Sequence, residues 1–303
     1  MTMIPLHGLH LRAVLIQALR IFFIDRGYLE VETPLRIPAP VPEAHIVPLI
    51  SEGWFLQTSP ELCMKRLLVA GIPKIFQLCK CFRKGERGDR HLPEFTMLEW
   101  YAAESDYRNL MTDCEALLRY LAAAMGKKSG VLEWQGRRIE LGPEWERITV
   151  AEAFQRYAPC TVEEALRKDT FDEMLVEYVE PHLGMATPTF LCDYPATLGA
   201  LARLSPNDPA VAERFELYVA GLELANGFSE LVDPVEQRAR FLAEQKSIRM
   251  QGRDCGPLPE VFLDALETMP PAAGIALGVD RLVMLFAGAN NIDQVVAFTP
   301  EGL

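Results

Sequence analysis

Neither common phosphate cradle is present: the chain has no GxxxxGK loop ending in Ser or Thr and no GxGxxG turn. P-loop and dinucleotide-fold modes of nucleotide binding are therefore excluded. Positive charge is short as well, with 30 Lys and Arg against 42 Asp and Glu and a net charge of −12. An extended nucleic-acid surface needs a basic face, because phosphate neutralisation supplies most of its affinity. Apolar runs fall short of the roughly 18 to 20 residues of a membrane span. "MTMIPLHGLHLRAVL" lacks the basic, apolar and small-residue order of an export signal, so the expected location is cytoplasmic, with no membrane partner. The seven cysteines are scattered, and Cys79 and Cys81 have no second pair to complete a zinc set. They read as reduced thiols packed as small hydrophobes.

What is there is a soluble globular composition, 50% hydrophobic and 24% charged over 303 residues, enough for one large domain with ample core. "RKGERGDRH" (83–91) is locally basic in an acidic chain, which suits a small anionic ligand better than a long polyanion. Leu11, Leu15, Leu19, Phe22 and Phe23 predict an amphipathic helix that Gly27 ends. "YLEVETP" follows as a strand stopped by Pro34, and "RIPAPVPEAHIVP" as a loop. "GWFLQ" predicts a strand before a helix capped by Ser59, with Pro60 in its first turn. "KIFQLCKCF" and "EFTMLEWYAA" form a long hairpin with a charged tip. The stretch 108–180 reads as helices and polar connections; "PTFLCDYP" and "RFELYVAGLELANGFSEL" read as strands, and "PVEQRARFLAEQKSIRMQG" as a helix. "GIALGVDRLVMLF" is a strand entering a helix. Hairpins with helices set apart predict an α+β fold on a mostly antiparallel sheet, in a single domain over 1–303 with a helical insertion at roughly 108–210.

The chemistry collects in a few places. Arg83 ends one arm of the hairpin, with His91 and Phe95 at the start of the other. Glu216, Glu223 and Glu230 recur at intervals of seven. That spacing breaks the two-residue alternation of a strand face unless turns intervene, and "VAG" and "ANG" are candidates for them. Arg281 stands beside Asp280 inside an apolar passage, although a buried guanidinium cannot shed its charge. The plainer readings are a solvated face for the glutamates, and ion pairs from Arg83 to Glu86 and from Arg281 to Asp280. Together, though, two guanidiniums suit a triphosphate, carboxylates suit magnesium, and further acids suit a cationic co-substrate.

At these residues the sequence resembles the class II aminoacyl-tRNA synthetase catalytic core, and within it lysyl-tRNA synthetase. "DRGYLEVETP", "FRKGERGDRHLPEFTMLEWY" and "GIALGVDRL" match the three class motifs in order, and "TSPELCMKRLLVAG" and "ELANGFSEL" match segments of the lysine branch. The HIGH and KMSKS signatures of the other class are absent. The first motif begins at Asp25, leaving no room for the anticodon-binding barrel that precedes it in lysyl-tRNA synthetases. The chain thus resembles the elongation factor P–lysine ligases, a family of truncated paralogues. That resemblance implies ATP-dependent activation of lysine, preferably (R)-β-lysine, as an aminoacyl-adenylate and transfer to a lysine side chain of elongation factor P. It implies ATP as substrate, Mg2+, a homodimer through the first motif, and no tRNA.

The resemblance also assigns residues. Arg83 and Arg281 are the catalytic pair, Arg83 on the α-phosphate and Arg281 reaching the γ-phosphate of a bent ATP. Phe95 stacks on adenine with Arg281 over its other face, and Glu86, His91, Glu223, Leu224 and Gly278 complete the ATP site. Glu216 and Glu223 hold the metal. Glu61 and Glu230 hold the substrate's amino groups, with Ser59, Tyr101, Asn226 and Ala276 lining the pocket. Two departures stand out. The second motif reads Arg83-Lys84-Gly85 where the family has Arg-x-Glu, which leaves adenine to a backbone group or to Glu86. Ala276 replaces the glycine of lysyl-tRNA synthetases, and its methyl is expected to disfavour an α-amino group. Another acceptor (tRNA, ammonia or a different protein) and a regulatory paralogue without catalysis are the other readings.

Overall fold

A computed structural model describes residues 6–127 and 129–303. The first helix, α1 (Leu6–Ile24), buries Leu15, Leu19, Phe22 and Phe23, the three- and four-residue spacing of one helical face. Leu11 is only partly buried. Gly27, at φ +76°, turns the chain out of the helix, and the Tyr28 N–H returns to the Phe23 carbonyl. By length and composition only, α1 is long and apolar enough to cross a membrane, where the sequence reading expected no such run. Its packed face belongs to the main core.

The expected strand up to Pro34 is shorter than its sequence pattern: β1 covers only Leu29–Glu30. β2 (Arg36–Ile37), β3 (Ile50–Ser51) and β4 (Trp54–Leu56) make a small separate sheet, and the proline-rich strap 38–48 lies between its first two strands. α2 (Glu61–Val69) starts one residue later than expected, with Pro60 rather than Ser59 at the cap position, while the Ser59 hydroxyl accepts from the Glu61 N–H at 3.0 Å. β5 (Lys74–Phe82) and β6 (Glu94–Ala103) form the long hairpin, in register from Lys74 with Ala102 to Phe82 with Glu94.

α3 (Tyr107–Ala124) begins at an Asp106 cap that accepts from two backbone N–H groups. It is followed by the β7 (Val131–Trp134) and β8 (Arg137–Glu140) hairpin, then β9 (Glu146–Thr149). The short helices α4 (Val150–Tyr157), α5 (Val162–Arg167) and α6 (Phe171–Met174) come next, and then β10 (Thr189–Pro195). The segment expected as a helical insertion is thus helical only in part, because α3 packs into the main core and β9 and β10 join the main sheet. β11 (Val211–Val219), β12 (Leu222–Ser229), α7 (Pro234–Met250), α8 (Glu260–Ala265), β13 (Ala272–Gly278) and α9 (Val279–Ala287) complete the fold.

The main sheet has eight strands in the order β1-β5-β6-β13-β12-β11-β10-β9. Among the described residues only its two edge pairs, β1 with β5 and β10 with β9, are parallel. The expected antiparallel α+β architecture is therefore the observed one. Alternation divides the sheet into two unlike faces. Phe76, Leu98, Trp100, Ala273, Ile275, Leu277, Phe215 and Leu217 pack against α1, α3 and α9 in one core. The other face carries Glu99, Tyr101, Ala276, Asn226 and Glu216, and it is this polar face that builds the site.

Candidate active site

Strand register sets the geometry. Glu99 on β6 pairs with Ala276 on β13, which pairs with Asn226 on β12, which pairs with Glu216 on β11. One row across four strands thus carries four of the polar face's residues. The row beside it runs from Tyr101 through Gly274 to Phe228.

The interval of seven between glutamates also finds its cause here. β11 and β12 turn at Ala220 and Gly221, both at positive φ, so "VAG" is a turn whereas "ANG" lies inside β12. Leu217 pairs with Ala225 but Tyr218 with Glu223, so Leu224 is an extra, bulged residue. The bulge moves Glu223 one place and onto the face that holds Glu216 and Asn226. Alternation resumes after it and delivers Glu230 to the same face.

At one end of this face lie the groups suited to phosphate. Arg83 leaves β5 with its Nε buried and without a partner, a donor that fits an anion. Its guanidinium lies 5.2 Å from the centre of the Phe95 ring and 4.0 Å from Glu86, a loose version of the ion pair weighed from sequence. Gly85 sits in the left-handed region at φ +81°, a conformation that strains any residue with a Cβ. The turn it makes brings Glu86 towards Arg83, one place later than the family's acid.

Arg281, at the start of α9, donates to Glu223 and to the Arg90 carbonyl and lies 2.5 Å from His91 Nε2. Burial, and then the Arg281 charge, lower the His91 pKa; because a guanidinium can only donate, Nε2 is the acceptor in this contact. Arg281 therefore does not pair with Asp280, which faces the other way to Arg12 and the Thr96 N–H. The Arg83 guanidinium lies over the ring of Phe95. Gly278 caps α9 just ahead of Arg281.

Glu216 and Glu223 are near neighbours on this face. Burial, then the Glu223 charge, raise the Glu216 pKa. Glu216 accepts from Arg214 and from Tyr218, each at 2.7 Å. Glu180, from the connection ahead of β10, receives a second contact from the Tyr218 hydroxyl at 3.1 Å, and its pKa is raised by burial and then by Glu223. Among the described residues no three His, Cys, Asp or Glu side chains gather closely enough to hold a metal ion by themselves, so Glu216 and Glu223 offer at most two carboxylate ligands, a number that suits a magnesium shared with phosphate oxygens. Sequence reasoning missed Glu180, Tyr218 and Arg214.

The other end of the face is an amine pocket. Ser59 donates to Glu99 Oε1 at 2.6 Å and Tyr101 to Oε2 at 2.7 Å. Burial, and then Glu61, push Glu99 up to about 8. Burial pushes Glu230 up to about 8 against the pull of Lys65. Lys65 is fully buried, with its ammonium 2.5 Å from Glu61 and 2.5 Å from Glu230. Glu99 and Lys65 both escaped the sequence reading, although each sits in a quoted segment. So did Glu43 on the strap, which burial pushes to about 7 and which faces Arg83, Glu61, Glu244 and Arg214. Gly274 is indispensable to this packing. A Cβ there would lie 2.1 Å from the Tyr101 ring and 2.4 Å from Glu230 Oε1.

Comparison with known proteins follows the same lines. A family model described as tRNA synthetases class II (D, K and N) matches residues 6–301. The chain is 41% identical over 314 aligned residues to an elongation factor P--(R)-beta-lysine ligase of Klebsiella pneumoniae subsp. pneumoniae, covering 98% of this chain and 96% of that protein. Proteins of the same name from Enterobacter sp. and Salmonella arizonae are 41% identical over 307 residues, covering 96% of this chain and 94% of each.

Proposed function

The chain belongs to the class II tRNA synthetase (D, K and N) family, and from that membership we propose an ATP-dependent ligase. It activates lysine, preferably (R)-β-lysine, as an aminoacyl-adenylate and transfers it to a lysine side chain of elongation factor P. The observation that carries this reading is the pairing of Glu61 and Glu230 with the Lys65 ammonium, with Glu99 held close by Ser59 and Tyr101, on the sheet face that also bears Arg83 and Arg281. Such a pocket is built for a cation, and the arginines beside it suit a triphosphate. The names of the relatives support elongation factor P as acceptor, and the net charge of −12 disfavours tRNA.

In the first step the substrate's own carboxylate attacks the α-phosphorus and pyrophosphate leaves. Arg83 stabilises the charge that develops there, and its unpartnered Nε gives it a free donor for the task. Arg281 takes the far end of the triphosphate, with Phe95 and Glu86 at the base. Magnesium held by Glu216 and Glu223 would offset the phosphate charge. In the second step the acceptor's neutral amine attacks the acyl carbonyl and AMP leaves. No enzyme nucleophile is needed; alignment supplies much of the rate. A homodimer fits the exposed Val14, Ile21, Ile24 and Leu29 along α1 and β1.

Pyrophosphate exchange that depends on lysine or β-lysine tests the first step. Mass spectrometry of elongation factor P after incubation tests the second, with a gain of one lysyl unit expected. An unmodified factor beside active exchange would move the acceptor to tRNA, ammonia or another protein. Absence of exchange would favour the regulatory reading.

A further inference from the structure

Lys65 stands where a helix would ordinarily present a solvated residue. It lies one turn after Glu61 on α2, on the same face, and that face is turned inward. Its side chain is 0% exposed, and its ammonium touches Glu61 Oε1 and Glu230 Oε2. The rings of Phe228 and Phe262 lie 5.3 and 5.9 Å from its nitrogen, which adds cation–π attraction and excludes water. An ammonium buried without partners would be lost to neutralisation, whereas two carboxylates keep it charged.

The contact divides Glu230 into two unlike oxygens. Oε2 lies 2.5 Å from the Lys65 nitrogen, an ion pair without hydrogen-bond alignment. Oε1 is buried with no hydrogen-bond partner, over the bare backbone of Gly274 and beside Tyr101. A buried acceptor left unsatisfied is costly, so this oxygen is stored for a donor that arrives with a ligand. Glu99 lies close by, its two oxygens oriented by Ser59 and Tyr101.

We infer that Lys65 is a resident counter-ion that positions the amine pocket: its ion pairs hold Glu61 and Glu230 in place, and it presents Glu230 Oε1 to the substrate's ammonium. When all three carboxylates are ionised, one resident ammonium leaves two negative charges. That remainder matches a substrate with two ammonium groups better than one with a single group, so Lys65 also shapes selectivity for diamino acids. The inference rests on the diamino-acid reading above.

Chemical rescue tests it. In pyrophosphate exchange, Lys65→Met and Lys65→Ala should raise the KM for the diamino acid about 10- to 100-fold, the loss of one charge-assisted contact, with the KM for ATP unchanged. The alkyl chain of n-propylammonium replaces what Lys65→Ala removes, and it should restore activity where neutral n-propanol does not. A wild-type KM in Lys65→Met, or equal rescue by propanol, would reduce Lys65 to packing and overturn the inference. If both variants fail to fold, refolding of Lys65→Ala helped by propylammonium and not by propanol supports it, and equal help overturns it. If the wild-type protein exchanges with no diamino acid, the functional reading falls separately. Carboxyl NMR titration of the unliganded protein then decides: a glutamate that ionises only at still higher pH in Lys65→Met supports the counter-ion, and unchanged carboxyl titrations overturn it.

Discussion

The Arg281 guanidinium donates twice to Glu223, to its carbonyl oxygen at 2.9 Å and to its Oε2 at 3.1 Å. The first bond fixes the strand and the second the side chain, so α9 and the tip of the β11–β12 hairpin are tied at the mouth of the site. Arg281 is thereby oriented before any ligand arrives, and ordering it later costs less.

Arg281→Ala and Arg83→Ala should each abolish adenylate formation, by at least about 100- to 1000-fold, with an unchanged circular dichroism spectrum. Near-normal exchange in either variant would remove the arginines from the reaction.

Asp280, one residue away, predicts the opposite. It is 3% exposed and accepts from the Thr96 N–H at 2.7 Å and from Arg12. Asp280→Ala leaves the buried Thr96 N–H unpaired and Arg12 with only its bond to Thr96 Oγ1, and should cost about 1–3 kcal/mol in urea unfolding. ATP affinity of the folded fraction should change little.

The amine pocket makes stability depend on pH. Glu99 and Glu230 titrate up to about 8 in the fold against an ordinary 4.5. Between those values the folded chain keeps protons that the unfolded chain has released. Their contribution is therefore complete below about 4.5 and is lost as pH rises through about 8. The melting temperature of the ligand-free protein should fall over that window, and less so in Glu99→Gln. Substrate ammonium favours the ionised carboxylates, so the KM for lysine should fall as pH rises from about 6 to 8.

Gly274→Ala should raise the KM for lysine and leave that for ATP alone, because its Cβ would displace Tyr101 and Glu230 Oε1. Overpacking of this kind costs about 1–3 kcal/mol, measurable by thermal melting. Unaltered lysine kinetics would show that the pocket lies elsewhere.

Ala276 lies between Glu99 and Asn226 in its row, with its methyl on the polar face. Ala276→Gly should raise α-lysine activation relative to β-lysine, by an amount within the roughly 1–3 kcal/mol of one methyl. An unchanged ratio in exchange assays would sink this account of isomer choice.

Long periodic segments were legible from residues alone: the β5–β6 hairpin, α7, and the passage from β13 into α9 each carry a pattern longer than local noise. The β7–β9 strands are four residues each, too short for a period to emerge, and so their region read as helical. Glu99 hid inside an aromatic strand, where alternation gives its face but not its partners. Lys65 hid because Glu and Lys four apart on a helix usually mark a solvated pair; only the packing of Phe228 and Phe262 turns that pair inward. Resemblance supplied roles for Arg83 and Arg281, while their actual partners, Phe95 and Glu223, came from the fold.

The single extra residue at Leu224 makes the β11–β12 hairpin keep count. Were Leu224 drawn into regular pairing opposite Tyr218, Glu223 would fall opposite Val219, facing the oily interior beneath the sheet, and Arg281 would lose its tether. Register there is as much a part of the chemistry as the identity of the side chains.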